Sequence, residues 1–259
     1  MAGALDVWMN GEQVGVWRNS RAGVPTFVYD LHWTRSPSAR ALSLSLPITA
    51  GNGEHRGDVV ANYFENLLPD STRIRKRLSS RFRTKSIAAF DLLTAIGRDC
   101  AGAVQLLPEG QEPQGWNRVE SEPLGEAQVE RILMAATSDA PLGQRDEDAD
   151  FRISIAGVQE KTALLRFGGV WQRPHGATPT THILKLPLGM VGNMRADLSD
   201  SVENEWLCAQ IVRELALPVA ATEMATFGAQ RALVVERFDR RWDWQFNTNG
   251  IILGDRTQT

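Results

Sequence analysis

The sequence predicts an α+β protein, in which a β-rich amino-terminal region with helices precedes an antiparallel sheet with one packed helix. Two observations lead there. Short runs of alternating apolar and polar residues recur in both halves of the chain, with helical spacings between them. A stretch rich in Gly, Pro, Glu and Gln from Glu109 to Pro123 separates the halves and reads as a linker or exposed loop. The expected organisation is therefore 1–123, 124–242 and a short tail at 243–259.

In the first region Leu5–Met9 and Gln13–Trp17 alternate around Asn10-Gly11, a strong type I′ turn signal, and predict a hairpin. Thr26–Tyr29 predicts a third strand, and Leu42–Leu46 alternates up to Pro47 and predicts a fourth. Val59, Val60, Tyr63, Phe64, Leu67 and Leu68 fall on one helical face after Gly57-Asp58. Asp70-Ser71 can cap a second helix running to Phe82. Asp91–Ile96 predicts a short helix closed by Gly97, and Ala103–Pro108 a return to strand.

In the second region a helix is expected over Glu126–Ala136, then a strand over Asp150–Ile155 and a turn at Ala156–Gln159. Lys161–Phe167 reads as the hairpin partner of that strand. His182–Leu186 is a third strand, ended by Pro187. Ser201–Leu215 is amphipathic, with Val202, Trp206, Ile211 and Leu215 suited to burial. Val219–Ala225 and Ala232–Phe238 supply two more strands. Strand, glycine turn, strand, strand with a lysine, helix with a glutamate, then two strands is the order of a protein-kinase small lobe.

Composition narrows the function. Hydrophobic residues make up 42% of the 259 and charged residues 23%, enough apolar side chain for a real core. A net charge of −3 gives no overall pull toward nucleic acid or membrane. The two cysteines, Cys100 and Cys208, lack any CxxC or CxxH spacing, so neither a disulfide framework nor a zinc site is expected. The first residues carry no basic start followed by an apolar run, and no stretch approaches the ~18 uninterrupted apolar residues of a transmembrane helix. A cytoplasmic protein with no membrane association is the expectation. The four histidines lie in unrelated contexts, and no GxSxG motif occurs, which leaves hydrolase and His-metal chemistry unsupported.

Lys185 stands out. Flanked by Ile183, Leu184 and Leu186, its ammonium needs an anion or a route to solvent. In kinase-like lobes the anion is a nucleotide phosphate, and a helix glutamate holds the lysine; Glu205 is the first candidate, Glu203 the alternate. Residues alone leave open an edge strand with Lys185 facing water. Ala156-Gly157-Val158-Gln159-Glu160-Lys161 is a glycine turn whose amides could approach phosphates, or an ordinary hairpin turn. Glu236-Arg237-Phe238 ends an apolar strand in charge, as a hinge or simply a strand reaching the surface. Thr72–Lys85 holds seven cations and no acid, a helix that could meet phosphate backbone or stand solvated, with Ile74, Leu78 and Phe82 toward the core.

Together these segments resemble the HipA family, serine/threonine kinase toxins of bacterial toxin–antitoxin modules. The resemblance is carried by Ala41–Pro47, Phe64–Ser71, Phe90–Leu93, Ile96–Asp99, Asp150–Leu164, Thr180–Pro187 and Val235–Arg240, in that order, from about Val7 to Trp242. It implies that Ser154 is an autophosphorylated serine whose modification ejects the glycine loop. It implies that Ala156–Lys161 is the nucleotide-phosphate loop, Lys185 the ATP-binding lysine and Glu236–Phe238 the adenine-contacting hinge. It implies ATP and Mg²⁺ as cofactors, a DNA-binding HipB-type antitoxin that brings operator DNA indirectly, and an aminoacyl-tRNA synthetase as target. The family also uses a second lobe with a catalytic Asp, an Asn five positions on and a metal-binding Asp. No Asp followed five residues later by Asn occurs here, so no catalytic or metal-ligating residue is expected in this chain, and activity of the chain alone is not expected. The alternatives are a non-catalytic remnant that binds the HipB-type antitoxin or a separate kinase lobe, and a basic-helix nucleic-acid-binding domain.

Overall fold

Asn10 and Gly11 both adopt positive φ, 50° and 81°, as a type I′ turn demands, and they join β1 (Gly3–Met9) to β2 (Glu12–Asn19). This is a computed structural model describing residues 3–19, 23–137, 156–157, 159–191, 196–240, 244–247 and 250–253. The expected strand at Asp150–Ile155, with Ser154, lies outside the described residues, as does Val158.

β3 (Pro25–Tyr29) and β4 (His55–Arg56) follow, then helices α1 (Asp58–Glu65), α2 (Thr72–Phe82) and α3 (Ala89–Ile96), and β5 (Val104–Pro108). The strands form an antiparallel sheet in the order β4-β3-β2-β1-β5. Its inward face meets α1 and α3, whose apolar stripes bury Val60, Phe64, Leu92, Leu93 and Ile96. The Trp17 and Phe64 rings stack with centroids 3.9 Å apart at the centre of this core. Ser71 caps α2, its hydroxyl accepting from the Ile74 amide at 3.4 Å, and Ile74, Leu78 and Phe82 face the core as their spacing predicts.

The expected fourth strand at Leu42–Pro47 does not form. The segment makes one bridge, Ser43 to Leu46, around a tight turn that leaves Leu44 fully exposed and Leu46 fully buried. Alternation was present, but no neighbouring strand answers its backbone; the Tyr29 hydroxyl does so instead. It donates to the Leu46 carbonyl and accepts from the Leu42 amide at 2.8 Å.

The second region comprises β6 (Ser121–Pro123), α4 (Glu126–Thr137), β7 (Lys161–Phe167), β8 (Val170–Pro174), β9 (His182–Lys185), β10 (Gly189–Val191), β11 (Ala196–Leu198), α5 (Ser201–Glu214), β12 (Thr222–Phe227) and β13 (Gln230–Glu236). A six-stranded sheet has the order β12-β13-β9-β7-β8-β6. Residues 121–123, expected to close the first region, thus hydrogen-bond into the second sheet through β8. β7 forms its hairpin with β8 across Gly168-Gly169, a turn the sequence reading passed over. α4 buries Val129 and Leu133 against Leu164, Leu184 and Val234. A further hairpin, β14 (Trp244–Asn247) with β15 (Gly250–Leu253), follows.

α5 departs from expectation. It buries Val202 and Ala209, whereas Ile211 and Leu215 stand 52% and 66% exposed beside exposed Leu207 and Leu217. This apolar face is larger than scattered surface leucines would give. No helix among the described residues is long and apolar enough to cross a membrane.

Replacing Tyr29 with Phe strands the buried Leu46 carbonyl, and urea unfolding should register a loss of about 1–3 kcal/mol.

Candidate functional site

Lys161 on β7 sits directly opposite Lys185 on β9, so both side chains leave the sheet on the same face. Two ammoniums so placed repel unless anions intervene. The Lys185 ammonium donates to Glu205 on α5, and its side chain is only 23% exposed, so it does not stand in open water. Glu203, the alternate, pairs instead with Arg231 at 2.5 Å. Spacing explains the choice: residue 205 lies just over one turn beyond the helix start, on the face toward the sheet, and residue 203 is rotated by two positions.

The Lys161 ammonium donates to the Ala156 carbonyl, beneath the glycine turn. Burial, and then the Lys185 charge, hold Lys161 below its ordinary pKa, against the opposing pull of Asp70 and Glu205. Gly157 has φ 110°, and a Cβ there would lie 2.7 Å from the Lys161 ammonium. Glycine is favoured at this position by its backbone conformation, and a side chain there would push the flexible Lys161 ammonium aside. Gln159 donates from Nε2 to the Leu186 carbonyl at 2.7 Å, and the Leu186 amide donates to the Glu160 carbonyl at 3.1 Å. The loop is therefore laced to the end of β9. Two cations beneath a glycine turn are a charge arrangement complementary to a polyanion.

Glu236–Phe238 lie at the end of β13. Phe238 is 83% exposed, while Arg237 is buried and engaged with the amino-terminal region. Its guanidinium reaches both oxygens of Asp99 at 3.1 Å, the Thr180 hydroxyl at 2.9 Å, the Cys100 carbonyl at 3.1 Å and Asp239 at 2.8 Å. Arg240 joins Asp99 at 2.5 Å, and Asp239 accepts from the Gly102 amide at 3.0 Å. The Thr180 amide and hydroxyl complete the shell of Asp99 at 3.0 and 2.7 Å. The amides of Glu236 and Arg237 bond the carbonyls of Ala221 and Thr181, both at 2.9 Å. Burial pushes the Asp99 and Asp239 carboxyls up, and the guanidiniums with their hydrogen bonds outweigh it, leaving both below the ordinary value and Asp239 at about 2.

Asp99, Thr180, Asp239 and Arg240 had no role assigned from sequence, although each stands in a run that carries the family resemblance. The usable signal was the density of charge in Val235–Arg240 immediately after an apolar strand. The seven-cation run is less available than it reads. Arg75 pairs with Glu65 at 2.5 Å and Arg77 with Glu160, with side chains only 16% and 12% exposed. Among the described residues no group of three or more His, Cys, Asp or Glu could hold a metal ion.

Two domain models match the chain, the HipA N-terminal domain over residues 5–107 and the HipA-like C-terminal domain over 153–257. The chain belongs to the HipA family. The second match reaches past Trp242, into the segment read from sequence as a divergent tail. A putative kinase, Y4mE, of Sinorhizobium fredii is 33% identical over 242 residues, covering 92% of this chain and 54% of the relative. The serine/threonine-protein kinase toxin HipA of Shewanella oneidensis is 27% identical over 215 residues, covering 82% of this chain and 45% of the toxin. A solved complex of Shewanella oneidensis HipA with HipB and operator DNA matches with TM-score 0.67 and 25% identity, over 96% of this chain and 53% of that one. This HipA-family chain thus spans about half the length of the relatives it matches.

Two outcomes follow from the Asp99 cluster. Asp99→Ala leaves two buried guanidiniums short of a counterion and should lower unfolding stability by about 3–5 kcal/mol in chemical denaturation. Because both carboxyls are depressed, their contribution is full above the unfolded value of about 3.9 and fades as pH falls through the folded value. Thermal melts of the parent chain should therefore lose stability as pH drops from about 4 toward 2, and Asp239→Asn should flatten that fall.

Proposed function

We propose that this chain supplies the nucleotide-binding elements of a HipA-type serine/threonine kinase toxin of a toxin–antitoxin module. The observation that carries the reading is the Lys161–Lys185 pair beneath Gly157, with Glu205 holding Lys185. In this reading Ala156–Lys161 and Lys185 take the phosphates of ATP, Glu205 positions the lysine, and Glu236–Phe238 border the adenine. The fit to ATP rests on the two cations and on Gly157, whose lack of a side chain lets a phosphate approach the backbone. The described residues offer no matching carboxylate cluster for Mg²⁺, so the roles assigned here concern ATP alone.

Ser154 is the proposed autophosphorylation site. A phosphate there would add close to two negative charges near the loop and compete with nucleotide phosphates for the lysines. A HipB-type antitoxin is the proposed partner, with operator DNA reached through it; the match to a HipA–HipB–operator complex supports this. The protein target, an aminoacyl-tRNA synthetase, rests on the family resemblance. The nucleic-acid reading of the basic helix is the weaker one, since two of its central cations are bound to carboxylates of this chain.

Titration with a fluorescent ATP analogue tests the proposal. Lys185→Met removes a charge-assisted contact and should weaken binding about tenfold or more, while far-UV circular dichroism stays unchanged. Undiminished affinity in that variant would remove Lys185 from the site.

A further inference from the structure

The cation-rich helix α2 has no place in the nucleotide site itself, yet it touches the loop that does. Arg75 donates from Nε to the Pro69 carbonyl at 2.6 Å and pairs with Glu65, fixing the turn that leads into the helix. Ser71 then caps the helix, so Pro69-Asp70 is held from both sides. This fixed turn meets the glycine loop. Pro69 and Gly157 form a parallel bridge, and the Asp70 amide donates to the Gly157 carbonyl at 3.2 Å. Three residues along the loop, Glu160 pairs with Arg77, both largely shielded from solvent at 24% and 12% exposure. The Asp70 carboxylate lies near enough to Lys161 to favour its charged form.

We infer that α2 is a positioning element for the phosphate loop, with Arg77 as the residue that holds the loop through Glu160. Three loop positions are met from the amino-terminal region: the backbone at Gly157, the carboxylate at Glu160 and the ammonium at Lys161. A turn rich in alternative conformations, such as one built on glycine, loses most of its freedom when fixed at its two ends. That ordering is complete before a ligand arrives, so binding does not bear its cost. The inference rests on the nucleotide reading of the loop for its consequence, and on the contacts alone for its mechanics. It also accounts for why Arg75 and Arg77 face inward on a helix where Arg73 and Lys76 are exposed.

The loop's docking has its own reporters. The Asp70 and Leu186 amides are hydrogen-bonded to the carbonyls of Gly157 and Glu160, so their hydrogen exchange reads whether the loop is in place. The experiment compares Arg77→Glu, Glu160→Arg and the double reversal for exchange at both amides and for affinity toward a fluorescent ATP analogue. Each single reversal should speed exchange at both amides and weaken the analogue about tenfold; the double reversal should recover both. Where charge reversal unfolds the chain, Glu160→Gln removes the pair with little change of shape and should give the same changes in milder form. Parent-like exchange in both single variants overturns the inference, as does a double reversal that fails to recover. Exchange that rises and recovers, in proteins none of which binds the analogue, upholds the docking of the loop and overturns the nucleotide reading instead.

Discussion

The buried charge cluster around Asp99 is the interaction on which the arrangement of the two sheets depends. Two carboxylates, Asp99 and Asp239, and two guanidiniums, Arg237 and Arg240, lie with side chains no more than 9% exposed. Removing four charges from water is costly, and such a cluster persists only if most of its lone pairs and protons find partners. Here backbone groups do much of that. The Thr180 amide, the Gly102 amide and the Cys100 carbonyl each complete a charged side chain. These backbone groups come from two segments and the two guanidiniums with Asp239 from a third, so the cluster ties residues 99–102, 180–181 and 237–240 to one relative placement. Its value lies less in net stability than in that single permitted geometry.

Strand β9 shows what the geometry achieves. It carries Lys185, and it is held beyond both of its ends by the amino-terminal region. At one end Asp99 takes the Thr180 amide and hydroxyl. At the other, Leu186 is bonded to Glu160, and Glu160 to Arg77. The span from Thr180 to Leu186 is about 20 Å of extended chain, and a strand pinned at both limits has little freedom to slide in register. A one-residue slip would carry Lys185 to the opposite face, away from Glu205 and Lys161. The amino-terminal region thus fixes the lysine without touching it.

Much of this fold could be read from the chain because its signals are local. Asn10-Gly11, the cap at Ser71 and the apolar faces of α1, α3 and α4 each state their structure within a few residues, and each formed. Leu42–Leu46 misled because alternation records which side chains are buried, not whether a partner strand exists; Tyr29, thirteen residues upstream of Leu42, decides that. α5 misled in the other direction, since an amphipathic pattern shows that a face is apolar without showing what covers it. Lys185 and Glu205 were legible because a lysine in an apolar strand has few ways to be tolerated. Asp99 was not, because its partners stand 81 and 138 residues away and a lone Asp-Cys pair carries no spacing. Arg77 was read as part of a basic run when its use is as a single side chain aimed at Glu160.

In the proposed reading, the pairing of Lys161 with Lys185 would make the site favour an anion more than either lysine would alone. Lys161 donates to the Ala156 carbonyl, a neutral acceptor, and burial, then the Lys185 charge, leave its proton held less firmly than usual. Glu205 offsets the Lys185 cation, and Asp70 and Glu205 lie near enough to Lys161 to favour its charged form. A phosphate entering beneath the turn would relieve repulsion between the two ammoniums as well as bond to each. A ligand bridging both lysines would gain most from that relief, whereas a single carboxylate on one of them bonds to that one alone. In the proposed nucleotide reading, the cross-strand register that sets Lys161 against Lys185 would act as a selectivity element, favouring ligands with several anionic oxygens over ligands with one.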